Sequence, residues 1–131
     1  MSPLVKRYLA TSFVLLALAV IFGAFGAHAL KNHLSEHYLG VFETGNKYHF
    51  IHGLGMAMSI FILSGKASSK QISRLAILFL SGIILFSGSL YVLSLAETVG
   101  LPFLKILGAV APIGGLLFIS SWVYSAYLIL K

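Results

Sequence analysis

The sequence predicts an all-α integral membrane protein: a four-transmembrane-helix bundle with a short amphipathic segment between helices 1 and 2. Three observations carry this. Hydrophobic residues make up 59% of the chain and charged residues 9%, whereas soluble domains run near 45–50% and 25%. Mean hydropathy is +0.99. Four apolar segments, at about 8–27, 45–64, 75–96 and 106–130, are each long enough to cross a ~30 Å hydrocarbon core. Residues 1–131 therefore read as a single transmembrane domain. The absence of cysteine removes disulfides, thiolate metal sites and cysteine nucleophiles. The net charge of +6 does not indicate nucleic acid, because the basic residues are scattered and no soluble domain carries them. They suit topology signals and contacts with anionic lipid.

The first span, 8–27, has no formal charge. A signal peptide has a shorter apolar core, about 7–15 residues, so a retained helix is favoured. Ala19, Gly23 and Ala27 recur every four residues and form a ridge for close helix approach, widened by Gly26. In the connection 28–46, Leu30, Leu34, Tyr38, Val41 and Phe42 fall near helical spacing. They predict a short interfacial helix, with an ordinary loop as the alternative. Gly40 and Gly45 read as turns. Thr44 to Asn46 read as the cap of the second span, which places Tyr48, His52, Met56 and Ser59 on one face. A basic loop, 65–74, follows. The third span, 75–96, carries a stripe of Ser87, Tyr91, Ser94 and Thr98. A turn at 97–105 contains Pro102, and Pro112 is expected to kink the fourth span and free the Gly108 carbonyl. Trp122, Tyr124 and Tyr127 read as interfacial anchors.

Six of the nine Lys/Arg residues (Lys6, Arg7, Lys66, Lys70, Arg74, Lys131) lie on one side of these spans, and Lys31, Lys47 and Lys105 on the other. The imbalance places both termini in the cytoplasm of an inner-membrane protein. The same topology puts all five histidines and all three glutamates outside. His28, Glu43, Tyr48, His49, His52, Ser87 and Tyr91 then fall near one membrane level and predict an outer-leaflet polar pocket. Its role is either to bind a ligand or to fix helix register. His28, His49, His52 and Glu43 are acceptable metal ligands, and facing histidines suit haem or a quinone headgroup. The spacing is not that of a His-Glu-x-x-His hydrolase, so binding is favoured over catalysis. No cofactor is specified.

The ordered runs Gly23-Ala-Phe-Gly-Ala-His28, Glu43-Thr-Gly-Asn-Lys-Tyr-His-Phe-Ile-His52, Leu85-Phe-Ser-Gly-Ser-Leu-Tyr91 and Ala111-Pro-Ile-Gly-Gly115 span most of the chain. Together they resemble the small bacterial membrane proteins of the domain-of-unknown-function 423 family, the YgdD/YwdK type, to which eukaryotic transmembrane protein 256 is related. The resemblance implies four spanning helices in the inner membrane and no established activity. The positions it carries over are His28, Glu43, Thr44, Gly45, Tyr48, His52, Ser87, Gly88, Ser89, Tyr91, Pro112, Gly114 and Gly115. Ala111 stands where the family pattern often has threonine, so no hydroxyl chemistry is assigned there. The leading expectation is a binding or accessory membrane protein that contacts lipid and takes a small ligand, metal ion, lipid headgroup or partner in its outer pocket. A homo-oligomer or larger membrane complex fits the same features. The alternatives are a transporter or channel subunit, disfavoured by inner halves that offer only serines, and a redox subunit binding haem, metal or quinone.

Overall fold

The computed structural model describes residues 1–96 and 98–131. Glu97, at the head of the turn expected over 97–105, lies outside the described residues. The described chain is helical, with short connections. The first helix, α1 (Pro3–Phe25), is opened by Ser2, whose hydroxyl accepts the Val5 N–H at 3.3 Å. Pro3 sits in the first turn, where its missing N–H costs nothing. Beyond Phe25 the rod widens into a π-turn, Gly26–Leu30.

The second helix, α2 (Glu36–Leu63), is one uninterrupted helix of 28 residues. This corrects two expectations. The amphipathic segment is not a separate element, and Thr44 to Asn46 do not cap a span. Ser35 is the cap, accepting the Tyr38 N–H at 3.4 Å, and Glu36 complements the helix dipole in the first turn. Gly40 and Gly45 do not break the helix. A helical glycine costs only about 1 kcal/mol relative to alanine, whereas a break would strand backbone groups that need partners. Gly45 lets α2 approach the Ser87 carbonyl and Leu90; a Cβ there would lie 3.2 and 3.1 Å from them.

The turn to α3 (Ser69–Gly82) uses Gly65 at φ +81°, a conformation that glycine adopts without strain. A reciprocal capping box between Ser68 and Gln71 starts α3 six residues before the expected Leu75, so part of the basic loop is helical. The rod continues through a second π-turn, Ile83–Gly88, into α4 (Ser89–Leu95). A 3₁₀ segment, Pro102–Ala109, leads to α5 (Ala111–Leu130). Pro112 lies in the first turn of α5 and does not kink its interior. A helix start tolerates proline because the first N–H groups have no intrahelical acceptor.

Among the described residues three rods, Pro3–Leu30, Ser69–Leu95 and Pro102–Leu130, are long and apolar enough to cross a membrane. The more polar α2 is the central element, packing on α1, α3, α4, α5 and the 83–88 turn. Two apolar clusters bracket it. Val5, Met56, Ile60, Leu63, Ile72, Leu75, Phe79 and Leu128 fill the end that carries both termini. Leu30, Leu34 and Phe42 close the opposite end. Lipid tails are as apolar as leucine, so helix association depends on packing fit. Glycine notches supply it: a Cβ at Gly55 would lie 2.6 Å from the Trp122 ring, and one at Gly82 2.5 Å from that of Phe118.

Candidate functional site

Between the two apolar clusters, α2 meets α1 and α4 through a partly buried polar network. Asn46 donates from Nδ2 to the Ala19 carbonyl at 2.7 Å and to the Tyr91 hydroxyl at 3.2 Å. The Tyr91 hydroxyl is also 3.0 Å from His49 Nδ1. Accepting from Asn46 leaves the phenol proton for His49 Nδ1, which in the neutral imidazole places the ring proton on Nε2. Phe22 and Phe42 enclose Tyr91 at ring separations of 5.0 and 4.9 Å. The Leu15 carbonyl neighbours His49, but no well-formed hydrogen bond reaches the buried Nε2. The fully buried Ser87 Oγ, in the second π-turn, is likewise unpartnered among the described residues.

His52 faces elsewhere. Its Nδ1 donates to the Tyr48 carbonyl at 2.8 Å, since a carbonyl can only accept. The ring lies flat on Phe118 at 3.4 Å, near-parallel to Tyr48 at 5.6 Å and beside Phe79 and Trp122. His49 and His52 therefore diverge, one toward α1 and α4, the other toward α5. Sequence spacing places their Cα atoms on neighbouring helical positions, but χ angles and packing decide where the rings go.

The remaining expected residues are dispersed. His28 is exposed on the first π-turn, and Tyr48 is half-exposed on the far side of α2 from the Asn46 network. Glu43 is exposed and lines a cleft of about 130 Å³ between α1 and α2, with Gly23, Gly26, Ala27, Phe42, Asn46 and Lys47. Among the described residues no three His, Asp or Glu side chains gather to hold a metal ion. The expected set of His28, His49, His52 and Glu43 is thus not assembled, because its members point to four different surroundings. On α1, Ala19 is buried and Gly23 abuts Asn46 Oδ1; in the following π-turn, Ala27 is exposed on the cleft wall. At the start of α5, Pro112 is exposed. A Cβ on Gly114 would collide with the Phe86 backbone, while one on Gly115 would meet the Phe86 ring only at 3.9 Å.

Asn46 is the network residue that sequence reading assigned to another role. Its signal was available: one amide on the helical face shared with His49 and Gly53. A second interhelical polar contact, between Ser125 Oγ and Ser59 Oγ at 3.2 Å, lies nearer the termini; Ser125 gives its proton to the Ser121 carbonyl at 2.8 Å.

The family model described as "Protein of unknown function (DUF423)" matches residues 22–115. The chain belongs to this family. Among its DUF423-type relatives is the UPF0382 membrane protein YwdK of Bacillus subtilis, 42% identical over 106 residues, covering 81% of each chain. Another is the UPF0382 membrane protein SSP2132 of Staphylococcus saprophyticus, 46% identical over 105 residues, covering 80% of this chain and 81% of the relative. No solved structure matches. These relatives are named as membrane proteins, and their names state no activity. The DUF423 match runs from Phe22 to Gly115, so it contains Asn46, His49, His52, Ser87 and Tyr91 together with the α1–α2 cleft. Chemically, these groups offer hydrogen-bond donors and acceptors to a bound molecule.

Proposed function

We propose that this DUF423-family chain is a four-span accessory protein of the cytoplasmic membrane that holds a zwitterionic lipid headgroup in the cleft between α1 and α2. The topology follows from charge. Lys6, Arg7, Lys66, Lys70, Arg74 and Lys131 sit toward the end carrying both termini, which the positive-inside rule assigns to the cytoplasm. With α2 as the fourth span, Glu43 and Lys47 stand about 30 and 24 Å along the helix from Leu63, at outer headgroup depth.

The observation that carries the reading is the composition of the cleft. Glu43, Asn46 and Lys47 face Gly23, Gly26 and Ala27 across about 130 Å³. Asn46 directs its amide hydrogens inward and presents Oδ1 on the Gly23 side. A primary ammonium carries three N–H donors, which the Glu43 carboxylate and Asn46 Oδ1 can accept, while the Lys47 ammonium pairs with the phosphate. Phosphatidylethanolamine meets both requirements. Phosphatidylcholine has no N–H donor. The small residues opposite leave room at the wall, since a side chain at Gly26 would collide with Phe42.

Native mass spectrometry of the protein, exchanged into equimolar phosphatidylethanolamine and phosphatidylcholine, tests this. The wild type should retain phosphatidylethanolamine in preference, Glu43→Gln should remove that preference, and Lys47→Gln should weaken retention of both lipids, with the helical spectrum preserved in each variant. Equal retention of the two lipids by the wild type, or an unchanged preference in Glu43→Gln, refutes the assignment.

A further inference from the structure

At the opposite end of the bundle lies a second cleft of different chemistry. Lys66, Ala67, Gln71, Leu128 and Lys131 line about 230 Å³ between the start of α3 and the end of α5. We propose that it binds the phosphodiester of an anionic phospholipid from the leaflet on the terminal side, independently of the headgroup cleft on the other face.

Charge points to an anion. Lys6, Arg7 and Lys70 are exposed toward this end, and Arg74 is held over the Tyr124 ring at 5.9 Å, one turn beyond Gln71. Glu36 and Glu43, the described acidic residues, lie on α2 toward the other end. Lys66 and Lys131 approach the cleft from two different elements, so a phosphate between them meets positive charge from both sides. Gln71 adds a neutral donor. Its Oε1 accepts the Ser68 N–H at 2.8 Å as half of the capping box, which fixes the amide and leaves its NH₂ hydrogens for a ligand.

The remaining wall points to a lipid source. Leu128 belongs to the apolar core of this end, and Ala67 packs against that core. A phosphodiester carrying glycerol and acyl chains covers such a wall, whereas free phosphate would leave it wet. Each basic residue near an anionic membrane surface is worth about a fivefold change in affinity.

The test is a titration of the full chain in nonionic micelles with short-chain phosphatidylglycerol, with phosphatidylcholine of the same chains, and with inorganic phosphate. Phosphatidylglycerol should bind most tightly. The Lys66→Gln/Lys131→Gln variant should bind it roughly 25-fold more weakly, two lysines at about fivefold each. Lys31→Gln/Lys105→Gln, altered toward the other end, should bind like the wild type, and so should Glu43→Gln. The proposal is overturned if the Lys66/Lys131 variant keeps wild-type affinity, if phosphatidylcholine binds equally well, or if inorganic phosphate alone matches phosphatidylglycerol. Loss of phosphatidylglycerol binding in Glu43→Gln would merge the two sites and overturn their independence.

Discussion

Gly114→Ala is a one-carbon change with a large expected cost. The new Cβ would lie 2.7 Å from both Cα and Cβ of Phe86, and closer still to its amide nitrogen. Two of these atoms are backbone, so no rotamer change relieves the overlap. Relief requires α5 to retreat by about 1 Å from the second π-turn, and a gap of that size forfeits a quarter to a half of each van der Waals contact along the seam. Overpacking of this kind costs about 1–3 kcal/mol, and a backbone obstacle belongs at the upper end. Alanine returns about 1 kcal/mol through helix propensity. The net expectation is a loss of about 2 kcal/mol. Gly40→Ala is the matched control. Among the described residues nothing lies within 4 Å of its Cβ position, so it should gain up to about 1 kcal/mol. Unfolding both variants by sodium dodecyl sulfate in mixed micelles, followed by circular dichroism, reads the difference directly. If the two alanine variants unfold at the same detergent fraction, α5 does not rest on the Phe86 backbone and the packing argument fails.

Other perturbations probe the network, the helix ends and the topology. Tyr91→Phe removes the hydroxyl between Asn46 and His49 and should cost about 1–2 kcal/mol in the same unfolding assay, since it leaves buried ring nitrogen without a partner; an unchanged midpoint would show that the bond is not made in the folded state. Ser125→Ala removes the interhelical contact with Ser59 together with the bond to the Ser121 carbonyl and should cost about 1 kcal/mol, in line with hydrogen bonds in membrane helices; a loss of several kcal/mol would mean a wider network. Ser68→Ala dismantles the capping box and should cost about 1 kcal/mol, with local amide exchange accelerating over the first turn of α3; unaltered exchange would count against the cap. Single cysteines at Ser68 and Thr98 should react with an impermeant thiol reagent from opposite faces of the membrane, and labelling from one face would overturn the four-span arrangement.

Class and membrane character were readable because both depend on local composition. Twenty apolar residues identify a candidate span wherever their side chains point. What escaped the sequence depended on partners supplied by distant segments. Gly40 and Gly45 look like breaks until Leu90 and the Ser87 carbonyl are seen filling the space that Gly45 leaves. Asn46 looks like a cap until the Ala19 carbonyl takes its amide hydrogen. His49 and His52 look like a ligand pair by helical spacing, yet Tyr91 draws one ring and Phe118 stacks on the other. Spacing along a helix sets where a side chain begins; neighbours decide where it ends. Pro112 shows the same limit. Proline reads as a kink inside an apolar run, and only the observed switch from 3₁₀ to α geometry at Val110 and Ala111 reveals it as a helix start.

The unbroken course of α2 has a mechanical consequence. At about 42 Å it is longer than a ~30 Å hydrocarbon layer is thick. It has no proline and no π-turn to act as a joint. The Asn46 bond to Ala19 sits about 15 Å from the Glu36 tip and about 26 Å from Leu63. With that bond as the fulcrum, a sideways push on the tip becomes a swing nearly twice as large at the far end, where Leu63 meets Val5 and Ile72. The helix has the geometry of a lever whose short arm ends at Glu36.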